Sequence, residues 1–446
     1  MRDPKMNLLN DLRPPGVPIE EFVAIIAQRF SSSVHDAETN FVLYPREAPH
    51  ELRVEYTHKG DVSGVFALPG LAESKLESIR EAIRQEFVDT SGLGTNRDVF
   101  FSLYPVRGWW RYRNRFQIVP LPPHAPRVPF LYGEHPFLIE YVYPKADSGS
   151  ISASRRVREA ARLRLLLNAI LIPWIRWIDP RSVGTLSHHW VLTSDKLGKP
   201  TVEYLQEFYH YEDSSPADSF SAVDNLSKVV EVSPESYYGD HRLSTGDEFD
   251  VPLDLAFTLD QFFGLNETMQ DHFLHACYWL SQANQTPSFS LMLLSAVQAI
   301  EALTPMPKGG KRCPACGLIA GPGPTKFFNT FLEVFLPESM KAKKGLNAIY
   351  KTRSALTHGS SPLLTDINAL HWALNPKEFD ERETVADALR VARLCLRNWL
   401  NCEPFVHEHV EKAAYFLWQK NYNQIGHDRE HWFQAITDLK NLTFLG

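Results

Sequence analysis

An α+β fold is predicted for this 446-residue chain, with a mixed α/β N-terminal domain followed by an all-helical C-terminal one. Two observations predict it. Up to about residue 250, apolar runs of strand period, such as 51–68, are interleaved with segments of helical spacing, such as 71–87, whereas from 255 onward only the helical period recurs. Between these textures lies a Ser- and Asp-rich stretch, 212–254, with eleven Asp/Glu against only Lys228 and Arg242. The predicted organisation is therefore an α+β domain over 1–211, suited to a sensor; an acidic linker or loop over 212–254; and a helical domain over 255–446.

Element by element, helices are expected at 19–30 and 71–87, where apolar residues recur at three- and four-residue intervals. ELRVEYTHKGDVSGVFAL (51–68) reads as two strands around a Lys-Gly-Asp turn, and further strands are expected at 98–104, 115–120 and 137–143. A long basic helix over 152–178 follows, then strands at 188–193 and 201–210. The helical part is expected to hold helices at 268–284, 287–304, 325–336, 338–357 and 384–401, with two more near the C-terminus.

Composition narrows the function classes. The apolar stretch at 163–178 is shorter than a bilayer span and is interrupted by Arg164, Pro173 and Arg176, so no membrane partner is expected. Five unevenly spaced cysteines do not make a secreted disulfide framework, and the opening residues hold no apolar leader core; a cytoplasmic location is expected. A net charge of −7 argues against nucleic-acid binding over the whole surface, yet the acidic stretch alone carries −9, leaving the remainder slightly basic. The chain has no Walker A loop, nucleophile elbow or dinucleotide fingerprint, and HDREH (427–431) leaves too little downstream chain for the third ligand of a zinc peptidase.

The helical half holds the most specific constellation. SLMLLSAVQAIEAL (290–303) is apolar nearly all round, with Ser295, Gln298 and Glu301 as a narrow polar stripe. A buried carboxylate costs several kcal/mol unless paired, so Glu301 requires a partner, and Arg353 in YKTRSALTHG (350–359) is the expected one. His358 follows Arg353 by five positions, about 140° of helical rotation, but Gly359 and the following Ser-Ser-Pro form a stop signal. The last turn is therefore expected to swing His358 toward Arg353, giving Glu301, Arg353 and His358 as candidate catalytic residues. The alternative is a His that only caps its helix.

These same segments resemble the ApeA-like branch of the HEPN superfamily, over about 268–405. Arg353 and His358 match the superfamily's Arg-x4-6-His motif and Glu301 its acidic residue on the preceding helix; Ser354 departs from the Asn, Asp or His common after the Arg. The resemblance implies a helical domain that forms a homodimer or higher homo-oligomer and cleaves RNA without a catalytic cofactor. It also implies a role in antiviral defence of the abortive-infection type, released by a phage or cellular trigger. A catalytically silent HEPN module that dimerises or binds RNA or nucleotide is the alternative.

Two further motifs carry chemistry. KRCPACG (311–317), inside a Gly/Pro-rich insertion at 304–324, has the shape of a zinc knuckle, with Cys313 and Cys316 supplying two of the four ligands a structural zinc requires. An adaptor built on that knuckle is a third functional class. RGWWRYRNRF (107–116) interleaves four Arg with four aromatics, a composition suited to RNA, so Arg107, Arg111 and Arg113 join Lys344 and Lys351 as candidate RNA-binding residues. The alternative is that the aromatics form core.

Overall fold

The computed structural model describes residues 7–13, 17–30, 32–36, 41–58, 60–87, 92–125, 135–146, 148–172, 175–177, 189–194, 200–205, 216–238, 248–304, 324–336, 345–358, 362–367 and 375–402. The chain is α+β, with sheets and helices in the N-terminal region and helices alone in the C-terminal region. In order it runs α1 (Leu9–Leu12), α2 (Ile19–Gln28), β1 (Val34–Asp36), β2 (Phe41–Tyr44), β3 (Leu52–Tyr56), β4 (Val62–Ala67) and α3 (Glu73–Phe87). Next come β5 (Leu93–Ser102), β6 (Trp110–Tyr112), β7 (Phe116–Pro120), β8 (His135–Pro144), α4 (Gly149–Ile170), β9 (Ile175–Trp177), β10 (His189–Ser194) and β11 (Pro200–Leu205). The remainder is β12 (Val230–Val232), α5 (Pro234–Tyr237), β13 (Asp250–Pro252), α6 (Leu255–Gly264), α7 (Glu267–Gln285), α8 (Phe289–Leu303), α9 (Pro324–Phe335), α10 (Gly345–Thr357), α11 (Leu364–Ile367) and α12 (Pro376–Cys402).

Two compact units emerge, neither of them continuous in sequence. The smaller comprises Met1–Arg97, Glu140–Glu159 and Asp213–Ser221; the larger comprises Asp98–Ile139, Ala160–Glu212 and Ala222–Gly446. In the smaller unit β1 to β4 form an antiparallel sheet in sequence order. Its core follows directly from periodicity. Leu52 and Val54 alternate on one face of β3, Phe22, Ile25 and Ile26 line one face of α2, and Leu76, Ile79 and Ile83 line one face of α3. Within this core Glu21 is 2% exposed and is held by Arg155 Nη2 at 2.9 Å and Arg158 Nη2 at 2.5 Å.

The larger unit shows why a change in sequence texture at 255 is not a domain boundary. The β6–β7 hairpin, with Trp110 opposite Ile118, packs its aromatic face on α6: Tyr112 Oη donates to Asp260 Oδ1 at 2.6 Å, and its ring stacks on Phe263 at 5.5 Å. α6 (Leu255–Gly264) precedes 268, where the sequence pattern sets the start of the first helix of this region. The β6–β7 hairpin and α6 thus pack against each other.

Two other expectations are corrected. The helix expected over 152–178 ends at Ile170, and Ile175–Trp177 is a strand, with Phe100 opposite Trp177. Pro173 cannot continue the helix, and the Asn168 carboxamide replaces the lost helical bonds: its Oδ1 accepts from the Ile175 N–H at 2.6 Å and its Nδ2 donates to the Ile175 carbonyl at 2.7 Å. The acidic stretch 212–254 is not simply a linker in its described parts. Val230–Val232 pairs in parallel with Asp250–Pro252, and Trp109 exchanges backbone hydrogen bonds with Ser227 and Val229. Its carboxylates are used internally, Glu248 on Arg107 at 2.7 Å, Glu231 on the Trp110 indole N–H at 3.2 Å, and Asp254 on Arg397.

The Glu21 cluster generates a stability prediction. Glu21→Ala strands the buried Arg155 without a counter-charge and is expected to cost about 3–5 kcal/mol. Arg158→Ala, whose side chain is half exposed, should cost less than about 1 kcal/mol. Urea unfolding of the two variants beside the parent measures the difference.

Candidate active site

α8 is the element on which the site is built. Leu293, Val297 and Ile300 are fully buried, and the helix is held at both ends by polar groups from other elements. At its start Ser288 Oγ accepts from the Leu291 N–H at 3.3 Å. The Asp366 carboxylate of α11 accepts from Ser288 Oγ at 2.9 Å, the Phe289 N–H at 2.7 Å and the Ser290 N–H at 2.8 Å. Burial pushes the Asp366 carboxyl up, but the donors of Ser290, Ser288 and Phe289 together outweigh it and hold the group below the ordinary aspartate value. At the other end His272 of α7 donates from Nε2 to the Ala302 carbonyl at 2.6 Å.

Glu301 lies in that last turn of α8 and is 8% exposed, and Arg353 Nη2 of α10 donates to its Oε2 at 2.6 Å. The carboxylate buried by the apolar helix therefore has the guanidinium partner that its burial demands. The Arg353 guanidinium also lies 5.7 Å from the centroid of the Tyr350 ring, which in turn packs on Phe328 of α9 at 4.8 Å. Phe328, Phe331, Leu332 and Phe335 form the buried stripe of α9, whose C-terminal carbonyl at Phe335 accepts from Asn398 Nδ2 of α12 at 2.7 Å.

His358 is placed differently from expectation. The helical pattern persists to the end of α10, where the His358 N–H donates to the Ser354 carbonyl at 3.1 Å and the Thr357 hydroxyl to the Arg353 carbonyl at 2.9 Å. His358 stays on the face of Lys351, Ser354 and Ala355, about 140° around the helix from Arg353. The physical reason is that Gly359, the stop signal, follows His358, so the helical bond to Ser354 forms before the chain is free to turn.

That face lines an open cleft of about 350 Å³, closed on its other side by Thr325 and Asn329 of α9. His358 and Lys351 are exposed in it, and Tyr350, nearly buried, forms a wall. Tyr350 lines the cleft, and its ring centroid also lies 5.7 Å from the Arg353 guanidinium.

The remaining candidates divide sharply. Arg107 pairs with Glu248, Arg113 with Asp260 at 2.7 Å, and Arg111 donates from Nε to Gln117 Oε1 at 2.8 Å. Trp110, Tyr112 and Phe116 are buried, so three of the four aromatics of 107–116 form core rather than a base-stacking surface. Lys344, Cys313 and Cys316 lie outside the described residues, as do HDREH and the two helices expected near the C-terminus. Among the described residues no group of three or more His, Cys, Asp or Glu is arranged to hold a metal, and no helix is long and apolar enough to cross a membrane. Cys395 is fully buried in α12.

Compared with known proteins, residues 406–438 match a family described as a protein of unknown function (DUF2934). No curated protein and no solved structure matches the chain.

Sequence reasoning missed Tyr350, Thr325 and Asn329. A signal existed for the last two: they stand four apart in PTKFFNTFLEVF, off the aromatic stripe that α9 buries.

The Asp366 cap generates a pH prediction. Its folded-state pKa lies below its unfolded-state value, so its stabilisation is fully present above the unfolded-state pKa and is lost as pH falls through the folded one. Asp366→Asn should cost about 1 kcal/mol at neutral pH, a typical cap loss, and the gap to the parent should close below about pH 4. Thermal unfolding of both proteins across pH 3–7 measures it.

Proposed function

We propose that the chain is a metal-independent endoribonuclease of the HEPN type, acting in the cytoplasm as an antiviral effector of the abortive-infection kind. The observation that carries this reading is the buried Glu301–Arg353 pair beside Tyr350, a residue that also lines the open cleft in which His358 and Lys351 are exposed. A guanidinium fixed by a buried carboxylate keeps further N–H donors for an anion, and an exposed imidazole supplies proton transfer.

The reaction requires the RNA 2′-hydroxyl to lose its proton as its oxygen attacks phosphorus, and the P–O5′ bond to break as the 5′ oxygen gains a proton. His358 acts as general base or general acid, Arg353 stabilises the charge that accumulates on the non-bridging oxygens, and Glu301 positions Arg353. The cleft lining includes one imidazole, His358, so one chain presents an incomplete acid–base set. A homodimer, whose two-fold axis brings like residues together, supplies the second acid–base group as His358 of the partner subunit. A structural zinc at Cys313 and Cys316 and a phage or cellular trigger belong to the same reading.

Purified protein incubated with total RNA tests it. His358→Ala should lower cleavage by roughly a hundredfold or more, the range for loss of a general acid or base. Arg353→Lys should rescue little, because a point charge does not reproduce the planar fork. Equal cleavage by a folded His358→Ala protein would favour a silent, RNA-binding module.

A further inference from the structure

The cleft holds more polar chemistry than phosphate cleavage requires. Thr325 and Asn329 stand one turn apart on α9 and face the His358 side of α10 across it. Neither has a part in proton transfer or in fixing Arg353. Asn329 is half-buried, and the wall beside it is the apolar edge formed by Tyr350 and Ala355. A carboxamide in such a setting, offering a donor and an acceptor in one plane, is suited to reading the edge of a flat heterocycle.

Size and spacing limit the ligand. A volume of about 350 Å³ is at the lower end for small-molecule sites and fits one nucleotide rather than a stretch of helix. Lys351 is seven positions from His358, two helical turns or about 10 Å along α10. The ammonium is therefore placed for the phosphate that flanks the scissile one. Tyr350 is 9% exposed, so it borders the base without offering a ring face for stacking.

Resting on the ribonuclease reading of the same cleft, we infer that the α9–α10 cleft is a single-nucleotide subsite of single-stranded RNA, in which Asn329 selects adenine and Lys351 holds the flanking phosphate. An asparagine carboxamide meets the N6–H and N7 of adenine with two hydrogen bonds at once, the base-edge pairing typical of that side chain. Asn329 is thus a specificity residue, and substrates are cut beside an unpaired adenosine.

Calorimetric binding of the four nucleoside 3′-monophosphates to the full chain, together with mapping of cleavage ends on an RNA pool, tests this. The adenosine nucleotide should bind roughly tenfold more tightly than the other three, and cleavage should concentrate next to adenosine. Asn329→Ala should remove that preference and Asn329→Gln restore part of it. Lys351→Ala should weaken all four nucleotides alike and reduce the salt slope of single-stranded RNA binding by about 0.7, the value for one phosphate. No binding, equal binding of the four, or an unchanged adenosine preference in Asn329→Ala overturns the subsite. Adenosine-selective binding lost in Asn329→Ala, but without any RNA cleavage by the parent, supports the subsite and overturns the ribonuclease reading instead. Cleavage without base preference does the reverse.

Discussion

Burial of Glu301 is the constraint on which the helical site depends. A helix as apolar as α8 is driven into the core by its leucines, valine and isoleucine, and it takes the Glu301 carboxylate with it. An ionised carboxylate in that position is tolerable only with a counter-charge and hydrogen bonds, and Arg353 supplies both at 2.6 Å. Breaking such a pair from either side leaves a stranded charge, so α10 is tied to α8 in one rotational setting. That setting decides what the other faces of α10 present: once Arg353 is turned to α8, Lys351, Ser354 and His358 necessarily face α9 and solvent.

The surrounding polar contacts serve the same geometry. Asp366 and Ser288 fix the start of α8, His272 its end, and Asn398 the end of α9. Each satisfies backbone groups that helix termini leave without internal partners, so α8, which carries Glu301, and the end of α9 are anchored by more than their apolar stripes. The cleft is a gap between α9 and α10, and Tyr350, packed on Phe328 at 4.8 Å, is one of its lining residues.

Much of this was legible in the sequence, for identifiable reasons. Helices such as 268–284 and 325–336 declare themselves through apolar spacing, and the Glu301–Arg353 pair follows from asking what a lone carboxylate in an apolar helix requires. The side on which His358 emerges was not legible, because a stop signal marks roughly where a helix ends but not whether the last backbone hydrogen bond forms first. The end of α4 was misplaced for a related reason: Asn168 replaces the broken helical ladder with two bonds to Ile175, a substitution that only the folded path reveals. The arginines of 107–116 read equally well as RNA contacts or as the rim of a core hairpin. Glu248 and Asp260, distant in sequence, are the partners that two of them find. Asn329 went unnoticed because a single amide among phenylalanines has no meaning until the facing helix is known.

The central claim is that this site breaks RNA by attack of the 2′-oxygen on phosphorus, with loss of the 5′-oxygen, using side chains alone. The measurement that bears on it most directly is the chemistry of the ends produced by the purified chain on a short single-stranded RNA in excess EDTA, read by phosphorus NMR and mass spectrometry. The account predicts 2′,3′-cyclic phosphate and 5′-hydroxyl ends, formed at the same rate with and without the chelator. Ends bearing 5′-phosphate, or cleavage that appears only when magnesium is restored, would contradict it.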